Sequence, residues 1–377
     1  MELSDEQTAI RETIREFARE VIRPTALEAD RDQSFPEEIW DGLADLDLTG
    51  LTVPAEYGGY DADPVTAAIV NEDVAYGMLA VATALSVHSL ATSCLAEFAS
   101  ESQRERWLPD MAEGRPVGAF ALSEPHAGSN PAEMTTEARK AGDEYVLEGE
   151  KQWITNGERA GVYIVFAKTD RDDPDSVTQF LVPGDVDGLD VGEPEDKLGL
   201  RASDTTSLTF DDVRIPAENR LTPEGDGLSA AFHILTGGRI AIAAQSVGLA
   251  QSALDEAIAY SQEREQFDGP IADIQSIRHT LAEMATRTKA SRLLTREAAR
   301  KRASTESGGA ALEASMAKYF ASETAMHVTN EAVQIHGGYG YVSETDVERL
   351  YRDAKITEIY EGTTEIQQTV IARELLE

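Results

Sequence analysis

The spacing of apolar residues changes period twice along this chain, and that change limits the folds open to it. Up to about residue 115 the spacing is helical. Ser4 and Gln7 form a capping-box pair, and Ile10, Ile14, Phe17 and Val21 then follow at steps of four, three and four, which places them on one core-facing helical face. Pro36 opens another helix through Ile39, Trp40 and Leu43, and Ser100 with Gln103 opens a third that ends near Gly114. From Val117 to about Arg214 the pattern turns to short β runs. Tyr145 to Leu147, Val162 to Phe166, Gln179 to Val182 and Ser207 to Phe210 are examples, broken by Gly142-Asp143, Pro174 and Pro183-Gly184. Beyond Thr222 to Gly227 long helical patterns return, with room for three long helices and two shorter ones before Glu377. This order predicts an α+β protein. Its parts are an N-terminal α-helical domain over 1–115, a small middle β-barrel or sheet domain over 116–224, and a C-terminal domain of four-helix-bundle type over 225–377.

Charge narrows the partners. The chain of 377 residues carries 33 Lys plus Arg against 69 Asp plus Glu, a net charge of −36. The positive footprint that nucleic acid or an anionic membrane surface requires is missing. Eight of the cations are Lys and 25 are Arg, and the acids are spread over the whole length. That pattern resembles a halophile's surface, whereas an acidic docking face would concentrate its charge. Cys94 is the only cysteine, which excludes an intrachain disulfide and a Cys-rich metal site and fits a reducing cytoplasm. Acids at Glu2, Asp5 and Glu6 stand where a signal peptide needs a basic and then an apolar run. The uncharged stretch between Asp73 and Glu97 reaches the length of a membrane span, but His88 and many Ser, Thr and Ala make it read as a buried helix with no membrane insertion.

The chain contains no G-x-G-x-x-G, P-loop, G-x-S-x-G or H-E-x-x-H motif, which argues against serine hydrolysis and metal hydrolysis. Four other segments combine polar or Gly-rich composition with an expected turn or helix end. Phe120 to Asn130 runs from a strand into hydroxyls and exposed amides, suited to a flat heteroaromatic ring and a polar tail or, equally, to a solvated turn. In Lys151 to Gly157, Trp153 suits either the side of a cofactor ring or the core, and Thr155 offers a hydroxyl. Gln334 to Gly340 follows a helix, and its glycines admit close approach by another backbone or a pyrophosphate. In Ile359 to Gln367, Glu361 lies in a short loop between helices and suits a catalytic base or a solvated carboxylate.

Together these segments, in this order on a helix–strand–helix chain, resemble the acyl-CoA dehydrogenase family over nearly the whole length. Lys197 to Ser203, Gly237-Gly238-Arg239-Ile240, Glu263 to Phe267 and Arg352 to Ile356 extend the resemblance, and the C-terminal half is most similar to the short-chain, butyryl-type members. The resemblance implies FAD and an acyl-CoA thioester. By it, Phe120, Ala121, Leu122, Ser123, Gly128 and Ser129, with Trp153, Ile154 and Thr155, hold the flavin ring. Arg264, Phe267, Gln275, Gln334, Gly337 and Gly338 reach the FAD of a neighbouring subunit, while Thr363 and Glu365 bind it within the chain. A homo-oligomer, expected to be a tetramer, then completes the site. Substrate contacts are implied at Ser129, Arg239, Glu361 and Gly362, with no metal.

The implied reaction is α,β-dehydrogenation of a short- or medium-chain acyl-CoA to the trans-2-enoyl-CoA. Glu361 removes the α-proton, and electrons pass on to electron-transfer flavoprotein. Some members place the base just before the residue matching Arg239, and here that position is Gly238. Thr236 replaces an acid that helps bind CoA, His126 and Asp268 replace glycines, and Gln368 replaces an Arg. An oxidase that delivers electrons to oxygen, or a non-catalytic acyl-CoA-binding paralogue, are the alternatives on the same scaffold. Diluted from molar salt into low-salt buffer, the protein is expected to lose its oligomer and its FAD, because salt at 1 M cuts the screening length to about 3 Å and hides the surplus carboxylates from one another. An undiminished melting temperature in low-salt buffer would contradict this.

Overall fold

In the computed structural model, which describes residues 3–305 and 309–376, helix α1 (Asp5–Phe17) opens on the expected capping box. Gln7 N–H donates to the Ser4 hydroxyl, and the Gln7 side chain accepts from Ser4 N–H. A π turn over Ala18–Ile22 then leads into α2 (Arg23–Asp32). The wider turn rotates the downstream residues about the helix axis. Val21, expected on the core face, is 41% exposed in consequence, and Ala18 and Ile22 are fully buried instead.

Helices α3 (Glu37–Asp45), α4 (Pro64–Gly77), α5 (Leu79–Phe98) and α6 (Glu101–Ala112) complete the first third. The uncharged stretch is two helices rather than one, because Met78 is extended (φ −158°, ψ 121°). Gly77 at this break abuts the π turn so closely that a Cβ on it would lie 2.9 Å from Ile22 Cβ. Helix α5 is long and apolar enough to cross a membrane, but 83% of its apolar window is buried inside the protein.

Seven strands form one sheet: β1 (Val117–Ala121), β2 (Glu137–Ala141), β3 (Glu144–Ile154), β4 (Ala160–Lys168), β5 (Val177–Pro183), β6 (Leu189–Val191) and β7 (Thr206–Pro216). Their order is β1-β4-β2-β3-β7-β6, with β5 also on β4. The β1–β4 pair is parallel, setting Phe120 opposite Ile164. Strand β4 is buried on both faces, and its side chains alternate between two cores. Val162, Ile164 and Phe166 join Leu90, Leu95 and Leu108 from the helical side, while Tyr163, Val165 and Ala167 join Ala119 and Phe180 inside the sheet.

The last third runs α7 (Gly227–Glu263), a hairpin of β8 (Glu265–Gln266) and β9 (Gly269–Pro270), α8 (Gln275–Ala303), α9 (Ala311–His336), α10 (Asp346–Ala354) and α11 (Thr364–Leu376). Both turn residues of the hairpin, Phe267 and Asp268, are left-handed (φ 53° and 70°). Such a turn favours Gly at its second position and tolerates Asp, which accounts for Asp268 in place of the expected Gly. Helix α7 packs against α4, α8 and α9. A Cβ on its Gly248 would lie 2.0 Å from Glu72 O of α4, and the Glu72 carboxylate accepts from Arg292 Nε of α8 at 2.8 Å. Gly248→Ala is therefore expected to cost about 1–3 kcal/mol by forcing α4 away from α7. The check is the thermal melt, and an unchanged midpoint would show that the two backbones have room to part.

Candidate active site

Before α11 the chain turns through Tyr360-Glu361-Gly362-Thr363, with Glu361 and Gly362 both left-handed (φ 51° and 92°). For Glu this conformation is strained, and it persists where the surroundings over-determine it. Lys318 Nζ of α9 donates to Gly362 O at 2.8 Å, and Gln367 Nε2 of α11 donates to Glu361 O and Gly362 O at 3.2 and 2.9 Å. On the other side the Tyr360 hydroxyl donates to Gln245 Oε1 of α7 at 3.3 Å and meets Thr83 Oγ1 of α5 at 3.5 Å. Gln245 Nε2 is itself fixed by Asn71 Oδ1 and Ala82 O at 2.9 and 3.1 Å. The loop is thus gripped from four helices.

Glu361 is half-buried, and its Oε2 is buried without a hydrogen-bond partner. That oxygen rests on α7, where a Cβ built on Gly238 would lie only 2.1 Å from it. Burial pushes the carboxyl up to about 7, against the opposing pull of Lys318 and Arg239. Burial also brings Lys318 down to about 8, with Glu361 working to raise it. An unpartnered carboxylate oxygen titrating near neutrality can take a proton from a weak carbon acid. Gly238 also borders a cavity of about 240 Å³ between α4, α5 and α7, whose walls include Ala67, Asn71, Ser86, Leu90 and Ile240.

The strand segments converge elsewhere. Phe120 and Ala121 end β1, Leu122 and Ser123 follow, and Gln152 N–H donates to Ser123 O at 3.0 Å, which brings Trp153, Ile154 and Thr155 alongside. Beneath this join the Glu124 carboxylate is buried and accepts from Lys151 Nζ at 2.9 Å and from Thr135 and Thr136 N–H at 2.7 and 3.0 Å. Ile154 is buried, whereas Trp153 is left-handed (φ 58°) and 54% exposed. Gly128 and Ser129 are exposed on the following turn. Arg264, Gly337 and Gly338 line a separate groove of about 550 Å³ with Tyr260 and His336, whose rings stack at 4.2 Å. Phe267, at the hairpin tip, is 89% exposed; Gln275 and Gln334 are exposed on α8 and α9 and do not line that groove. Thr363 accepts from Ile366 N–H at 3.4 Å and Glu365 is exposed, both at the start of α11.

Three family descriptions match in register: Acyl-CoA dehydrogenase, N-terminal domain over residues 4–115, middle domain over 119–213, and C-terminal domain over 225–376. The chain belongs to the acyl-CoA dehydrogenase family. It is 43% identical over 378 residues to an acyl-CoA dehydrogenase of Bacillus subtilis, covering 100% of this chain and 99% of the relative. The structure of butyryl-CoA dehydrogenase from Megasphaera elsdenii matches with a TM-score of 0.96 at 39% identity, covering 100% of each chain. A chain solved in work on the electron transferring flavoprotein of Acidaminococcus fermentans matches with a TM-score of 0.96 at 38% identity, covering 100% of this chain and 99% of that one.

Acyl-CoA dehydrogenases are FAD-dependent oxidoreductases, and the residues present fit that cofactor. Trp153 presents an exposed ring on a strained backbone, the Thr364 hydroxyl at the α11 N-terminus is buried without a partner, and Cβ atoms built on Gly128, Gly337 or Gly338 meet nothing within 4 Å. Among the departures, Thr236 donates its hydroxyl within α7 to Phe232 O at 2.9 Å. His126 Nε2 stands 3.7 Å from Glu124 Oε2. Nothing in the structure explains Gln368.

Sequence reasoning missed Lys318, Gln367 and Gln245, which hold the loop. One signal was available for Lys318: a rare Lys embedded in Ala-Ser-Met-Ala ahead of Tyr319-Phe320, where a charge has to find a buried partner. Gly238→Ala is expected to push the Glu361 carboxylate off its seat and lower turnover by ~10²-fold, the scale of an ångström-sized misplacement. Dye-coupled turnover with FAD content as control checks this, and a parent-like rate would show that the carboxylate does not work from this position.

Proposed function

We propose that this protein dehydrogenates short straight-chain acyl-CoA thioesters to trans-2-enoyl-CoA, with Glu361 as the base. The observation that carries the proposal is the buried, unpartnered Glu361 Oε2, titrating near neutrality and resting on Gly238, which lines the cavity between α4, α5 and α7. The α C–H of a thioester becomes acidic when its carbonyl oxygen accepts a hydrogen bond, a task the family resemblance gives to Glu361 N–H. Glu361 Oε2 takes the α-proton, and the four-helix grip on its loop keeps that oxygen aimed without reorganisation. FAD, when bound, accepts the β-hydride, and the α,β double bond forms as the two hydrogens leave.

The cavity's modest size and the likeness to butyryl-CoA dehydrogenase support the short chain. The likeness to the chain from the Acidaminococcus work supports an electron-transfer flavoprotein as electron acceptor. Homotetramer assembly, with the Arg264 groove serving a neighbour's FAD, is supported by the exposed Tyr339 ring that lines it.

The test is Glu361→Gln, which keeps the side chain's shape and removes its ability to take the proton. FAD and butyryl-CoA are expected to bind while dye-coupled turnover falls by at least ~10²-fold. In the parent, the rate should fall about tenfold for each pH unit below about 7, because only the deprotonated carboxylate is competent, and level off above it. A Gln variant that still bleaches its flavin with butyryl-CoA at near the parent rate would remove Glu361 from this role.

A further inference from the structure

The cavity beside Glu361 shares one wall with a second hollow. Leu51, on the stretch between α3 and α4, is buried and lines the inner cavity of about 240 Å³. The same residue also lines an outer cleft of about 250 Å³, with Ile10 and Ile14 of α1 and with Leu46 and Leu48. Ile14, Leu48 and Leu51 make the buried apolar part of this cleft. Its rim is exposed at Thr13 and Tyr60, where the Tyr60 hydroxyl donates to Glu6 Oε1 at 2.8 Å. The backbone around Leu51 is fixed, since Ala62 N–H donates to Leu51 O at 2.8 Å and Tyr60 N–H to Gly50 O at 3.0 Å. Of the residues that line either hollow, Leu51 alone lines both, and it stands on a held backbone.

We propose that Leu51 is the specificity-determining wall for acyl-chain length, and that shortening its side chain joins the two hollows into one channel for a longer straight alkyl tail. The inference rests on the acyl-CoA dehydrogenation proposed above. An alkyl tail gains with each methylene it buries until it meets a closed end, where further length becomes overlap. Opening that end onto Ile14 and Leu48 offers apolar surface in place of a collision. Asp47 also borders the outer cleft and is exposed to solvent, so the channel presents the tail with no buried charge on that side.

The parent and Leu51→Ala, both loaded with FAD, are assayed with straight-chain acyl-CoA from butyryl to dodecanoyl. Both are also titrated calorimetrically with S-alkyl-CoA thioethers of the same lengths, which have no thioester carbonyl, do not turn over and so report the pocket alone. Leu51→Ala is expected to raise the dodecanoyl-to-butyryl ratio of kcat/KM by ~10-fold or more, the scale of a pocket gaining room for methylenes, with thioether affinities moving in the same sense. Adding Thr13→Phe to Leu51→Ala refills the outer cleft and should return the profile towards the parent's. Should Leu51→Ala not fold, Leu51→Val is expected to show a smaller shift of the same sign. An unchanged length profile in whichever variant folds overturns the wall. Thioether binding by a parent that turns over no acyl-CoA overturns the proposed dehydrogenation, and the affinities still decide the wall; binding by neither protein overturns both.

Discussion

The contact between Glu361 Oε2 and the bare backbone of Gly238 makes specific demands on its surroundings. A carboxylate oxygen without a partner loses its hydration for no hydrogen bond in return, so it stays only where the rest of the side chain has nowhere else to go. The left-handed backbone of Glu361 restricts its direction, and Lys318 and Gln367 hold the carbonyls of Glu361 and Gly362. Lys318 and Arg239 also keep the carboxyl from rising further than about 7. Without these cations burial would leave the group protonated and unable to act as a base at neutral pH; without burial it would be too weak a base. The two effects are balanced by residues from α7 and α9, two helices packed against one another through buried Ala243, Ala244, Ala314, Ala317 and Ala321.

Several segments that carry the family resemblance hold the parts together rather than touching the proposed chemistry. Leu200 N–H donates to Asp353 Oδ1 at 2.6 Å, and Gly199 runs so near α10 that a Cβ would lie 2.4 Å from the Arg352 backbone. Arg349, fully buried, reaches Asp346 and Asp353 at 3.2 Å, and Arg352 reaches Asp30 of α2 at 2.6 Å. Through α10, therefore, the loop after β6 and the second helix are tied to the same short element that leads into the Glu361 loop. Removing one partner from such a buried set would strand the other charge, so these ties act on the position of the loop as well as on stability.

The architecture was legible because helical and strand periods are local properties, and the boundaries carry Pro and Gly where the period changes. The path of the first helix was less so. A π turn leaves no mark in apolar spacing, so Val21 kept its place in a helical pattern while the backbone rotated it to solvent. The break at Met78 was hidden for a related reason: beside it Gly77 meets Ile22, more than fifty residues away, a contact that apolar spacing does not reveal. At the site, the segments that hold Glu361, Trp153, Gly337 and Gly338 stood out in sequence as polar or Gly-rich stretches at turns and helix ends, and only their order together, through the family resemblance, gave those residues roles. Gln245 and Gln367 were not, since a Gln on a helix gives no sign in sequence of whether it faces solvent or a buried carbonyl.

Charge placement follows from the same interior demands. Among the described residues Lys151, Lys168, Lys318, Arg239, Arg296 and Arg349 are buried, and so are Asp30, Glu72, Asp73, Glu124, Asp204 and Asp353. The two sets are equal in number, but they are drawn from 33 cations and 69 acids, so the interior takes a much larger share of the scarce sign. Three of the eight Lys are in that set. What reaches solvent is a surface still more acidic in proportion than the composition, because fixing Glu124, Glu72 and the Glu361 loop has already taken cations that could have relieved it. Self-repulsion at the surface and order at the site are thus coupled through the supply of positive charge. Added positive charge on the exposed faces would ease the repulsion without touching the buried pairs, whereas removal of Lys151 or Lys318 would leave the surface as it is and strand a carboxylate or a carbonyl inside.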